Sequence, residues 1–176
     1  NGVFEHAFRG ALREDPSLGL EIRFRVGEKT PLLRFAYRLT STRARSFSRS
    51  GQEDELVLLR ASFAGLPEAR EVRLSEFVRL LHSYTLSERE LPDSHFEAGL
   101  GVMGPILAAT DGRRTLLLGY EHGSQAPDAF LRFDLLPGRR VTLRAVKGSY
   151  WSGMTVGPDR PFDSVWMQAG LVAGDL

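Results

Sequence analysis

The chain has 176 residues, 42% of them hydrophobic, and a formal charge of +1. A chain of this size removes roughly 70% of its unfolded surface from water and needs no metal or disulfide staple. The near-balanced charge argues against a protein that neutralises phosphates, and the absence of cysteine excludes disulfides, Cys-ligated zinc and thiol catalysis.

In chain order, strict alternation comes first. Leu20, Ile22, Phe24 and Val26 alternate with Glu21, Arg23 and Arg25. Leu33, Phe35, Tyr37 and Leu39 alternate with Arg34, Ala36 and Arg38. Period two sends each set to its own face of a strand, one buried and one wet, as in an antiparallel sheet. The biased stretch "STRARSFSRSGQEDE", Ser41 to Glu55, is basic and then acidic. It reads as a solvated loop rather than an RNA-binding arm.

Further strands are expected at Leu56–Ala64, Glu71–Phe77, Thr115–Tyr120, Ala129–Leu135, Val141–Val146 and Ser164–Ala169, separated by "AGLPEAR", "TDGRR", "LPGRR" and "VGPDRPFD". Punctuation at this spacing is typical of sandwiches and barrels. The segment "LSEFVRLLHSYTLSEREL", Leu74 to Leu91, carries Phe77, Leu80, Leu81 and Tyr84 at helical spacing yet also alternates, which leaves helix and strand both open. The expected fold class is all-β: a large antiparallel β-sandwich of supersandwich type, with at most one or two short helices. Residues 1–176 are expected to form a single β-sandwich domain belonging to a longer protein.

Few segments carry chemistry. "GLGVMG", Gly99 to Gly104, matches the spacing of a dinucleotide-binding turn. No buried strand precedes it, and "ILAAT" is too short for the helix that must follow, so a glycine-rich bend entering a strand is the better reading. His6, His82, His95 and His122 have no partners at zinc-site spacing, and no hydrolase elbow or phosphate loop is present. Neither a metal site nor a cofactor is expected. Tyr150 and Trp151 in "VKGSYWSGM" form an aromatic pair in an expected loop; one ring as core and the other covered is weighed against a sugar-stacking pair.

The phrase "LLLGYEHGSQAPDAFLRF", Leu116 to Phe133, crowds Tyr120, Glu121, His122, Ser124 and Gln125 at one strand end. Two readings stand. Ser124 and Asp128 bond turn amides and Glu121 pairs with Arg132 across a hairpin, or the strand end meets a polar ligand or another domain.

"MGPILAATDGRRTLLLGYEHGSQAPDAFL" and "VTLRAVKGSYWSG", supported by "LSEFVRLLHSYTLSEREL", resemble the N-terminal domain of glycoside hydrolase family 36, the alpha-galactosidase-like enzymes. The resemblance runs from about Leu20 to Gln168 and rests on motif order and strand pattern. It implies a β supersandwich that precedes a TIM-barrel catalytic domain. That barrel, expected after residue 176, carries the catalytic aspartates, so no residue of this chain is assigned a catalytic role. "YEHGS" departs from the Tyr-Ser-Gly-Asn-Phe-like phrase of the better-known branch, which leaves the substrate and linkage open. The implied partners are the barrel of the same chain and a carbohydrate; homo-oligomerisation is left open, and neither nucleic acid nor a membrane is expected. Candidates for the substrate mouth or the interdomain surface are Tyr120, Glu121, His122, Gln125, Tyr150 and Trp151, with Trp151 expected near the end that carries Tyr120 to His122. The alternatives are a free-standing carbohydrate-binding β-sandwich and a purely structural sandwich.

Overall fold

The computed structural model describes residues 2–47, 56–66, 68–78, 83–102, 105–121, 131–145 and 154–174. Fifteen strands and one short helix make up the fold among these residues. The larger sheet has nine strands, all pairing antiparallel. Its order is β1 (Val3–Ala11), β2 (Leu18–Gly27), β3 (Leu32–Ser41), β15 (Trp166–Ala173), β10 (Arg114–Glu121), β9 (Ile106–Thr110), β6 (Glu68–Val78) and β7 (Ser83–Glu90), and the short β14 (Phe162–Asp163) also pairs with β3. The smaller sheet runs β5 (Leu56–Ser62), β12 (Arg140–Ala145), β11 (Leu131–Leu136) and β8 (Gly101–Val102). A two-stranded ribbon joins β4 (Arg45–Ser46) to β13 (Thr155–Val156).

Each expected strand is present with its ends shifted by a few residues, Ala129, Phe130 and Val146 lying outside the described residues, and the chain is the all-β sandwich that the alternation implies. Among the described residues of Leu74 to Leu91 the strand reading prevails; Leu80 and Leu81 lie outside them. Arg70 to Val78 of β6 pairs with Ser83 to Glu90 of β7 across an irregularity between Ser75 and Val78. Backbone pairing along the neighbouring strand outweighs the helical spacing of a few apolar residues. The helix α1 (Asp93–Glu97) starts after Pro92, whose fixed φ suits a helix entry, and buries Phe96. Gly99 then turns the chain at φ 70°, and Pro105 leads into β9 rather than a helix. The dinucleotide spacing at Gly99 to Gly104 therefore lacks its structural context, as expected. The sequence patterns did not mark β1 as a strand.

Register fixes the faces. Pairing sets Phe24 beside Phe35, Phe35 beside Met167, Met167 beside Tyr120, and Leu118 beside Leu107. Directly opposed residues share a face, so these side chains form one apolar surface. Against it the smaller sheet presents Leu131, Phe133, Leu135, Val141, Leu143 and Ala145, all nearly or fully buried. Residues of both inner faces join one hydrophobic core.

Local chemistry secures the joins. Asp111 in "TDGRR" accepts the backbone N–H groups of Arg113 and Arg114 at 2.9 and 2.7 Å, and its other oxygen takes the Arg114 guanidinium at 2.7 Å. The Arg114 side chain and the two amides hold its carboxyl down at about 2. Gly112 supplies the positive φ of 77° that this turn requires. Ser164 fills the gap between β14 and β15 along β3. Its N–H donates to the Tyr37 carbonyl, and its Oγ accepts the Tyr37 N–H at 2.8 Å.

Candidate functional site

β10 ends the larger sheet's central run at Glu121, and β11 begins the smaller sheet at Leu131. β10 and β11 therefore belong to different sheets and do not pair with each other as a hairpin. The pairing of Glu121 with Arg132 is therefore corrected. Arg132 donates to Asp134 on its own strand at 2.9 Å, and Arg144 also donates to Asp134. Glu121 faces a different partner on a different sheet.

Tyr120 and Glu121 are neighbours in sequence and go to opposite faces, as period two demands. Tyr120 turns inward. Its ring packs 5.7 Å from that of Phe133, and its hydroxyl donates to the Leu131 carbonyl at 3.2 Å. This side chain ties the two sheets together at the point where the chain leaves one for the other. Glu121 turns outward. Arg34 on β3 grips it with two parallel bonds, Nε to Oε1 and Nη2 to Oε2, each 2.7 Å, and Gln168 on β15 donates to Oε1 at 2.7 Å. The contact spans 87 residues of sequence.

The outer face here is a ledge built from four adjacent strands. Trp166 lies directly opposite Glu121 in the β10–β15 pairing. Guanidinium carbons of Arg25, Arg23 and Arg34 stand 4.2, 5.3 and 5.5 Å from its ring centroid. Ala36, fully buried, sits opposite Arg23 on the β2–β3 pairing. Farther along, Asp163 accepts from Arg38 at 2.8 and 3.0 Å and from Arg23 at 3.1 Å. Guanidinium over an indole face is attractive both by charge and by stacking.

The ledge has a definite protonation state. Burial pushes the Glu121 carboxyl up, but the bonds from Arg34 and Gln168 and the charges of Arg34 and Arg25 outweigh it and hold the carboxyl below its ordinary value. An ionised carboxylate already bonded to a guanidinium and an amide is unsuited to giving up a proton as a general acid. The arrangement holds guanidinium groups, a carboxylate and an indole ring in fixed relation, with Arg34 and Glu121 each about one-third exposed. Among the described residues no cluster of His, Cys, Asp or Glu could hold a metal ion.

Of the six candidates from the sequence, the structure describes Tyr120 and Glu121 and separates them by face. His122, Gln125, Tyr150 and Trp151 lie outside the described residues. Sequence reasoning passed over Trp166, Gln168 and Arg34. The available signal was parity: Trp166 and Gln168 alternate with Met167 and Ala169, which places a ring and an amide on the wet face of a strand.

No family model matches the chain, and no curated protein sequence matches it. Among solved structures it is similar to the galactosidase domain of an alpha-galactosidase-sucrose kinase, AgaSK, with a TM-score of 0.52 and 10% identity over 90% of this chain. The match spans 22% of that protein, so this chain corresponds to about a fifth of its length. A second similarity, to the Slr1438 protein of Synechocystis sp. PCC 6803, has a TM-score of 0.44 and 10% identity and covers 99% of this chain and 63% of the other. The first likeness establishes a related fold.

Proposed function

We propose that this chain is the non-catalytic N-terminal β-sandwich of an alpha-galactosidase-like glycoside hydrolase of family 36, packed on a TIM-barrel catalytic domain and helping to shape its carbohydrate mouth. The observation that carries the reading is the fold shared with part of a galactosidase over 90% of this chain. The ledge at the end of β10 supports it. A mouth for a sugar needs donors, acceptors and a ring within reach of one another, and Arg34, Glu121, Gln168 and Trp166 supply them on one face. The chain leaves that ledge directly into His122 and Gln125, which on this reading extend the same surface toward the substrate, with Tyr150 and Trp151 at the same end.

Glycoside hydrolysis requires two positioned carboxyl groups, about 5–5.5 Å apart in retaining enzymes. Glu121 and Asp163 are each engaged by guanidinium groups, and both reacting carboxyls are assigned to the barrel. The test has two parts. The full-length protein should hydrolyse an aryl alpha-galactoside, and residues 1–176 alone should not. In the full enzyme His122→Ala should lower kcat/KM while the melting temperature stays nearly constant. Saturable turnover by residues 1–176 that Glu121→Ala abolishes would sink the reading, as would a full-length protein without an aspartate-bearing barrel.

A further inference from the structure

Among the described residues, strand β1 is an open edge of the larger sheet. All nine of its residues, Val3–Ala11, are exposed. Edges of this length are normally blunted by proline, a bulge or charged side chains, and the charges of β1, Glu5 and Arg9, are already paired across to β2. β1 contains no proline or lysine, and its register with β2 runs without interruption from Val3 opposite Gly27 to Ala11 opposite Gly19.

The hydrogen-bond parity of this edge is fixed. Glu28 donates its N–H to the Gly2 carbonyl at 3.0 Å, and Leu12 donates to the Leu18 carbonyl at 2.8 Å. Hydrogen-bonded pairs alternate along an antiparallel ladder. Phe4, His6, Phe8 and Gly10 therefore direct their backbone groups at β2. Val3, Glu5, Ala7, Arg9 and Ala11 direct theirs at the open edge.

We propose that β1 pairs antiparallel with β1 of a second copy of this chain, about a two-fold axis at Ala7, so that the larger sheet continues from one protomer into the next. Full overlap of the nine residues puts Val3 opposite Ala11, Glu5 opposite Arg9 and Ala7 opposite its own counterpart. Every residue so paired is one whose N–H and C=O face outward, which gives about ten hydrogen bonds.

The charges select this register. Within the protomer Glu5 already accepts from Arg25, and Arg9 donates to Glu21, each directly across the β1–β2 ladder. In the dimer Glu5 would meet Arg9 of the partner subunit, and that row would alternate in sign through Arg25, Glu5, Arg9 of the partner subunit and Glu21 of the partner subunit. A slip of two residues parts Glu5 from its new partner, and a slip of four brings like charges together, which destabilises. A slip of one sets outward backbone groups against inward ones and exchanges the faces.

The apolar side agrees. Phe4 and Phe8 are 60% and 65% exposed on the face that elsewhere forms the core, and Val26, Leu33 and Leu171 continue the strip. Phe8 touches Phe24 edge-on at 5.8 Å and would lie opposite His6 of the partner subunit. An apolar strip beside an unpaired edge is a site for association.

Sedimentation equilibrium of the full-length protein tests this. The expected species is a dimer at tens of micromolar. Glu5→Arg and Arg9→Glu should each weaken association at least tenfold, since each puts like charges in both cross-copy pairs. An equimolar mixture of the two variants should recover the dimer, because opposite charges then meet in both pairs. Ala7→Pro removes an outward N–H and leaves the ladder with β2 intact; it should give a monomer with an unchanged far-ultraviolet circular dichroism spectrum. A wild-type monomer at these concentrations overturns the proposal. So does a dimer indifferent to Ala7→Pro, a variant mixture that stays monomeric, or an edge filled by an extended segment of other sequence.

Discussion

The centre and the margin of the larger sheet are written in the same alternating code and end in opposite environments. At the centre, Leu107, Leu118 and Met167 on β9, β10 and β15 are at most 3% exposed. At the margin, Phe4, Phe8 and Val26 on β1 and β2 point to the same side and are 60%, 65% and 41% exposed. The difference lies in what stands opposite. Among the described residues the larger sheet has nine strands and the smaller has four, so the smaller covers the middle and leaves the β1 edge uncovered. Alternation assigns a side chain to a face; only the partner layer decides whether that face is dry.

The outer faces differ as well. Near the margin, charged pairs such as Arg9–Glu21 and Arg25–Glu5 run across the strands. Nearer the centre, Thr110 and Thr115 are buried on the outer side, where Thr115 donates to the Gly174 carbonyl at 2.8 Å. Substitutions at these central positions should be felt more than those at the margin.

The largest contrast is between two phenylalanines. Phe133 is fully buried between the sheets, and Phe133→Ala should cost about 3–5 kcal/mol in urea unfolding. Phe8→Ala, at low protein concentration, should change stability by about 0.5 kcal/mol or less. Similar losses at both sites would mean that the margin is covered after all.

Gly170 on β15 tests how tightly the central strands approach. A Cβ there would come within 2.4 Å of a Leu32 methyl and 2.8 Å of the Pro31 carbonyl, and the carbonyl is backbone. Gly170→Ala should destabilise by about 1–3 kcal/mol, the range for overpacking. Gly10 on β1 has open space, and Gly10→Ala should be tolerated.

The ledge sits between these extremes. Glu121→Gln keeps the shape and removes the charge. With both partners about one-third exposed, the loss should be about 1 kcal/mol or less, read from a double-mutant cycle with Arg34→Met.

Acid should expose the smallest effects in order. The Asp111 carboxyl is depressed from 3.8 to about 2, so its contribution is full above about 3.8 and disappears as pH falls through about 2. Glu121 is also lowered, and its contribution too is present at neutral pH and lost on acidification. Carboxyl carbon NMR titration should show Asp111 ionised well below pH 3; a midpoint near its ordinary value would mean that the turn does not hold it.

The sequence by itself determined the strands with clear alternation, the turn at Asp111-Gly112 and the faces of individual residues. Each of these depends on local chemistry: side chains alternate every residue along a strand, and a carboxylate beside free amides bonds them. Glu121 and Trp166 were legible as wet-face residues on that ground. The tertiary structure alone decided that Glu121 meets Arg34 and not Arg132, because β10 and β11 belong to different sheets. The nearer partner along the chain was the wrong one. The tertiary structure also decided that β1 is an edge. "VFEHAFRGA" alternates only in part, and neither its pairing with β2 nor its open side can be read until strand order is known. Strand order depends on contacts between residues far apart in the chain, and period two within a strand carries no information about which strand lies next to it.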